Sequence, residues 1–94
     1  MSLTTNHQLD LLHDLLSLQC EEGNGTISEC EQISRLIRSL QQQESMQNTS
    51  LYALLATIDD YSSTGTNCSN LQQHIEKHQT VINEWLPQIK DSMH

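Results

Sequence analysis

The sequence predicts an all-α domain of four short helices packed antiparallel into a compact bundle, with no sheet. Three observations carry that expectation. Apolar residues recur at spacings of three and four rather than in strict alternation. Cap-forming residues stand where each apolar stripe begins, and polar breaks rich in Gly, Asn, Ser and Thr separate the stripes. The length of 94 residues fits one domain, residues 1–94.

The first helix is expected over residues 6–20. Leu9, Leu12 and Leu16 fall at helical spacing, and Leu11, Leu15 and Leu18 widen the stripe. Thr5 or Asn6 can cap its start, and Asp10 sits near the positive end of the helix dipole. Glu21-Glu22-Gly23-Asn24-Gly25 ends it, because Gly and Asn accept the left-handed conformation that closes helices.

The second helix, 27–42, opens on Thr26-Ile27-Ser28-Glu29, which reads as a capping box; Ser28 with Glu31 offers the same device two residues on. Its stripe is Ile27, Cys30, Ile33, Leu36, Ile37 and Leu40. Glu31 and Arg35 stand four apart, as a modest surface ion pair would. Residues 41–48 carry no apolar stripe beyond Met46 and read as frayed helix or loop.

The third helix, 49–61, starts at Asn48 or Thr49 and places Leu51, Leu54, Leu55 and Ile58 on one face; residues 62–67 read as a polar linker. The fourth, 70–90, starts at Ser69 or Asn70. Leu71, Ile75, His78, Ile82, Trp85 and Ile89 form a short heptad seam. Pro87 lacks an amide hydrogen and crowds the preceding turn, which predicts a kink or an end near Trp85.

Composition narrows the function. Leu, Ile and Val make up about 23% of the chain, just above the roughly 20% below which disorder is the default. The core is therefore thin, and it lacks Phe altogether. With 12 acidic and 4 basic residues the net charge is −8. Arg35, Arg38, Lys77 and Lys90 are too few and too scattered for a nucleic-acid backbone or an anionic membrane. A helix-turn-helix reader is excluded because the third helix carries no basic residue and ends on Asp59 and Asp60.

No run of the roughly 18 apolar residues a membrane span needs is present, and the first residues lack the basic-then-apolar pattern of a leader. Cys20, Cys30 and Cys68 are odd in number and without a CxxC pair, which reads as reduced thiols in a cytoplasmic protein.

Among chemical sites, the His74/His78 pair is the strongest candidate, because histidines four apart share a helical face and can chelate a metal. The metalloprotease pattern needs Glu after the first His, where this chain has Ile75. No local third ligand accompanies the pair, so the expected roles are structural, with His78 bordering the core seam and His74 at its edge, each hydrogen-bonded locally or to water. No catalytic set and no cofactor are expected. Glu21-Glu22 and Asp59-Asp60 read as solvated helix ends.

The expected function is protein–protein interaction or regulation without catalysis, with a protein partner or a second copy (a homodimer) as occupant. A small metal-binding protein is the alternative. Candidate interface residues are Leu11, Leu15 and Leu18 on the over-rich first helix and the three aromatics Tyr52, Tyr61 and Trp85.

His7-Gln8 with Leu11-Leu12 and Asp14-Leu15-Leu16, then Gly25-Thr26-Ile27-Ser28-Glu29, Glu31-Gln32-Ile33 and Arg35-Leu36, resemble the small YtzH-like proteins of Bacillus and its relatives. Leu71-Gln72-Gln73-His74-Ile75-Glu76 fits the same pattern, and the resemblance is weakest over residues 41–70. These are cap and stripe residues and imply no active site. The resemblance implies a cytoplasmic protein of a Gram-positive, spore-forming lineage.

Overall fold

The computed structural model describes residues 5–47 and 49–92, apart from the Ser45 side chain. Over these the chain is helical and forms one bundle. The helices are α1 (Thr5–Glu22), α2 (Ile27–Gln41), α3 (Glu44–Gln47), α4 (Ser50–Thr66) and α5 (Leu71–Asp91). The four long helices are those the periodicity predicts, and α3 is a single turn inside the stretch read as frayed helix or loop.

The caps show why the breaks fall where they do. Glu29 N–H donates to Thr26 Oγ1 at 3.1 Å while Thr26 N–H donates to Glu29 Oε1 at 2.9 Å, so the capping box forms at Thr26 rather than at Ser28. Gln73 N–H donates to Asn70 Oδ1 at 3.1 Å, which starts α5 at Asn70. Gly23, at φ 63°, closes α1 with its N–H on the Gln19 carbonyl at 2.9 Å. Thr5 and Asn6 already lie within α1, so its cap falls outside the described residues.

The helices pair as α1 with α5 and α2 with α4, each antiparallel. Cys20 and Gln79 are joined twice, Gln79 Nε2 donating to the Cys20 carbonyl at 2.8 Å and the Cys20 thiol to the Gln79 carbonyl at 3.5 Å. Just past the end of α1, Gly23 faces Glu76 on the opposite course. Across α2 and α4, Ser34 and Ser62 share a 2.7 Å hydrogen bond while Cys30 faces Gly65. The seams α1–α2 and α4–α5 are the thinner ones. Leu9, Leu12, Leu16, Ile33, Ile37, Leu40, Leu55, Ile58, Ile75, Ile82 and Ile89 are fully buried between the pairs.

Four local expectations are overturned. Residues 62–66 are the last turns of α4 and not a linker, because Ser62 and Gly65 are buried against α2 and the Thr66 hydroxyl folds back on the Ser62 carbonyl at 3.0 Å. The helix α5 does not end near Trp85 but runs through Pro87 to Asp91. Pro87 and Asn83, whose carbonyl is the one Pro87 cannot serve, are both exposed residues, so the lost bond falls on the solvent side of the helix while Ile89 keeps the last turn anchored in the core. Ile27, assigned to the stripe of α2, is exposed at the first turn. Glu31 and Arg35 do not pair; among the described residues the ion pair found is His13 with Asp14 at 3.9 Å. An exposed Glu–Arg pair four apart on a helix would be worth only about 0.3–0.5 kcal/mol, comparable to what holding two long side chains costs. One buried side-chain oxygen among the described residues, Asp59 Oδ1, has no hydrogen-bond partner.

Candidate functional site

Because α4 and α5 touch sparingly, a groove of about 570 Å³ opens between them. From α4 it is lined by Thr57, Asp60, Tyr61 and Thr64, which fall at 0, 3, 4 and 7 along one helical face. From α5 come His74, Lys77, His78, Val81 and Trp85, again one face. Val81, Trp85 and the rings of Tyr61, His74 and His78 make an apolar floor, with Lys77, Asp60 and two threonines at the rim.

The floor is an aromatic cluster. Tyr61 stacks on His74 with ring centroids 4.9 Å apart and planes 18° apart, and meets Trp85 edge-on at 5.5 Å. His78 leans on both, 5.1 Å from Tyr61 and 4.5 Å from His74. Each histidine gives one ring N–H to a carbonyl, His74 Nε2 to Tyr61 at 2.9 Å and His78 Nδ1 to His74 at 2.8 Å. A carbonyl only accepts, which fixes the hydrogen on those nitrogens.

The sequence places His78 in the seam and His74 at its border; the structure reverses them. His74 is buried and His78 half-buried. The cause is the extra turn of α4, which carries Gly65 over His74 and leaves His78 facing the open groove. As a metal pair the two stand close on one face. Among the described residues no group of three His, Cys, Asp or Glu side chains converges on them or elsewhere.

The interface candidates separate. Tyr61 and Trp85 are buried at 4% and 5% exposure and belong to the core and the groove floor. Leu11 and Leu15 pack half-buried against the core, whereas Leu18 and Tyr52 are exposed.

Behind the groove lies a buried polar network that the sequence reading passes over. Tyr61 Oη donates to Gln19 Oε1 at 2.9 Å, and Gln19 Nε2 points to Cys30 Sγ at 3.8 Å. Gln19 continues the Leu9, Leu12, Leu16 spacing by three, which is the signal that marks it as inward-facing.

Burial pushes the Tyr61 hydroxyl far above the ordinary phenol range, with the neighbouring Cys30, Cys20 and Glu29 adding to the shift. Burial also raises the Cys30 thiol, against a smaller opposing effect of its Gln19 hydrogen bond. Both groups are neutral when protonated, so the unfolded chain releases these protons first as pH rises. Their contribution to stability is complete below the unfolded values and declines above them. The urea midpoint is expected to fall from about pH 8.5 upward, and Cys30→Ala is expected to reduce the earlier part of that fall without abolishing it, because burial also raises the Cys20 thiol. A midpoint that holds flat to pH 11 would contradict it.

A family model described as YtzH-like protein matches residues 3–89. The chain belongs to the YtzH-like family. This YtzH-like chain is 33% identical over 93 residues to a protein of Bacillus subtilis (strain 168) described as uncharacterized protein YtzH, covering 95% of this chain and 96% of that relative. No solved structure matches it. No helix among the described residues of the YtzH-like chain is long and apolar enough to cross a membrane.

Proposed function

We propose that the chain is a non-catalytic binding module that docks a protein partner in the α4–α5 groove. The observation that carries this reading is the groove itself, an aromatic and aliphatic floor with a charged and hydroxylated rim, set where the two helix pairs of the bundle meet thinly. Aromatic anchors ringed by polar groups are what interface centres are made of. Each histidine has one ring N–H held by a backbone carbonyl, which fixes the orientation of its ring in the floor. A groove between two helices suits an amphipathic segment that inserts apolar side chains at helical spacing.

A photo-crosslinking residue at the exposed Thr64, in the chain expressed in Bacillus subtilis, is expected to give a discrete protein adduct. The same residue at exposed Gln72, outside the groove, is expected to give none. Thr57→Arg, on the exposed rim, is expected to abolish the Thr64 adduct while leaving the helical circular dichroism intact. Adduct mass identifies the partner, twice the chain's mass marking a second copy. Equal labelling from Thr64 and Gln72, or no adduct at either, would sink the proposal.

A further inference from the structure

A second cavity, of about 320 Å³, lies on the other side of α4 against α2. Both arginines of the chain, Arg35 and Arg38, line it from α2 with Glu31, and Ser63, Thr66 and Asn67 face them from the end of α4. In a chain of charge −8 with 4 basic residues, two guanidinium groups thus share one groove. Among the described residues neither meets a carboxylate within ion-pair distance, although Glu31 stands one turn before Arg35.

The hydrogen-bonding inventory of the groove is divided. Its donors are the two guanidinium forks, the Ser63 hydroxyl and the amide hydrogen of Asn67 left over after Asn67 Nδ2 donates to the Ser63 carbonyl at 3.0 Å. Its acceptors are the Glu31 carboxylate, the Asn67 side-chain carbonyl, the Ser63 oxygen and the Thr66 hydroxyl oxygen, whose own hydrogen is engaged by the Ser62 carbonyl. We propose that this groove binds a phosphate group that carries, or lies beside, a hydroxyl.

Arginine forks match the paired oxygens of a tetrahedral oxyanion, and Ser63 and Asn67 supply further donors. Glu31 and Thr66 then accept the hydroxyl hydrogen. That pairing distinguishes inorganic phosphate, which keeps a P–OH at neutral pH, from sulfate, which has no proton to give and is repelled by Glu31. The overall negative charge gives no general attraction for anions, so capture rests on these local groups. The same chemistry is found on soluble phosphates and on lipid headgroups; the acidic surface favours the soluble source.

The test is a titration of isotope-labelled protein with inorganic phosphate, followed by backbone amide shifts at constant ionic strength, with sulfate as the control. Saturable shifts are expected over residues 31–38 and 63–67, with sulfate about tenfold weaker or worse. Arg35→Gln and Arg38→Gln are each expected to weaken phosphate binding about tenfold. Both residues are exposed, so the melting curve should be unchanged. Glu31→Gln is expected to bring sulfate close to phosphate. Equal responses to the two anions in the parent chain, shifts that survive both arginine changes, or binding to phosphatidate vesicles without any response to soluble phosphate would each overturn the proposal.

Discussion

Replacing Tyr61 with alanine is expected to cost about 3–5 kcal/mol, a large part of the roughly 5–15 kcal/mol that holds a domain of this size together. The ring touches His74, His78 and Trp85, and its hydroxyl enters the bundle to reach Gln19. The core lacks Phe, and its other large ring, Trp85, already packs edge-on against Tyr61, so the vacancy is left to be filled by relaxation of these neighbours. The informative variants are smaller. Tyr61→Phe keeps the packing but leaves Gln19 Oε1 buried without its donor, at about 1–3 kcal/mol. Gln19→Leu does the converse to the hydroxyl. The double variant makes both sides apolar and is expected to cost less than the two single losses combined, by about 1 kcal/mol. Urea unfolding with unchanged m-values measures all three. Additive losses would show that the hydroxyl and the amide do not depend on one another.

That network also shows where the sequence was readable. Leucine and isoleucine spacing located the four long helices, and cap residues at Thr26 or Ser28 and at Ser69 or Asn70 placed two of their starts to within two residues, because caps and stripes are local. Pairing was less accessible. Nothing local tells that α1 lies chiefly on α5 and α2 on α4, since that follows from which stripes fill each other's gaps. The run Ser62-Ser63-Thr64-Gly65-Thr66 has poor intrinsic helix propensity, and reading it as a linker follows from propensity alone. Tertiary packing reverses the outcome by burying Ser62 against Ser34 and Gly65 against Cys30. The groove inherits both surprises. His74 is buried because of the added turn, and Tyr61 and Trp85 sink into the groove floor and do not stand out from the surface.

Gly65→Val, near the end of α4, is expected to cost about 3 kcal/mol. A glycine near a helix end is usually explained by a left-handed backbone, but among the described residues positive φ occurs at Gly23 and not here. The reason is proximity. A β-carbon at Gly65 would lie 3.0 Å from Cys30 Sγ, 3.2 Å from Leu71 Cδ1 and 3.3 Å from His74 Cδ2. Alanine meets this crowding with only one atom, all three neighbours are side-chain atoms that can yield, and its better helix propensity offsets about 1 kcal/mol. Gly65→Ala is therefore expected to be close to neutral. Valine adds two more methyl groups to filled space, so the start of α5 must move outward and the His74 bond to the Tyr61 carbonyl must stretch. If the thiol of Cys30 is the nearest wall, Cys30→Ala should restore part of the stability of Gly65→Val in a thermal melt, against its own small cost in the parent chain. A conformational requirement for glycine would predict damage from alanine as well, and no rescue.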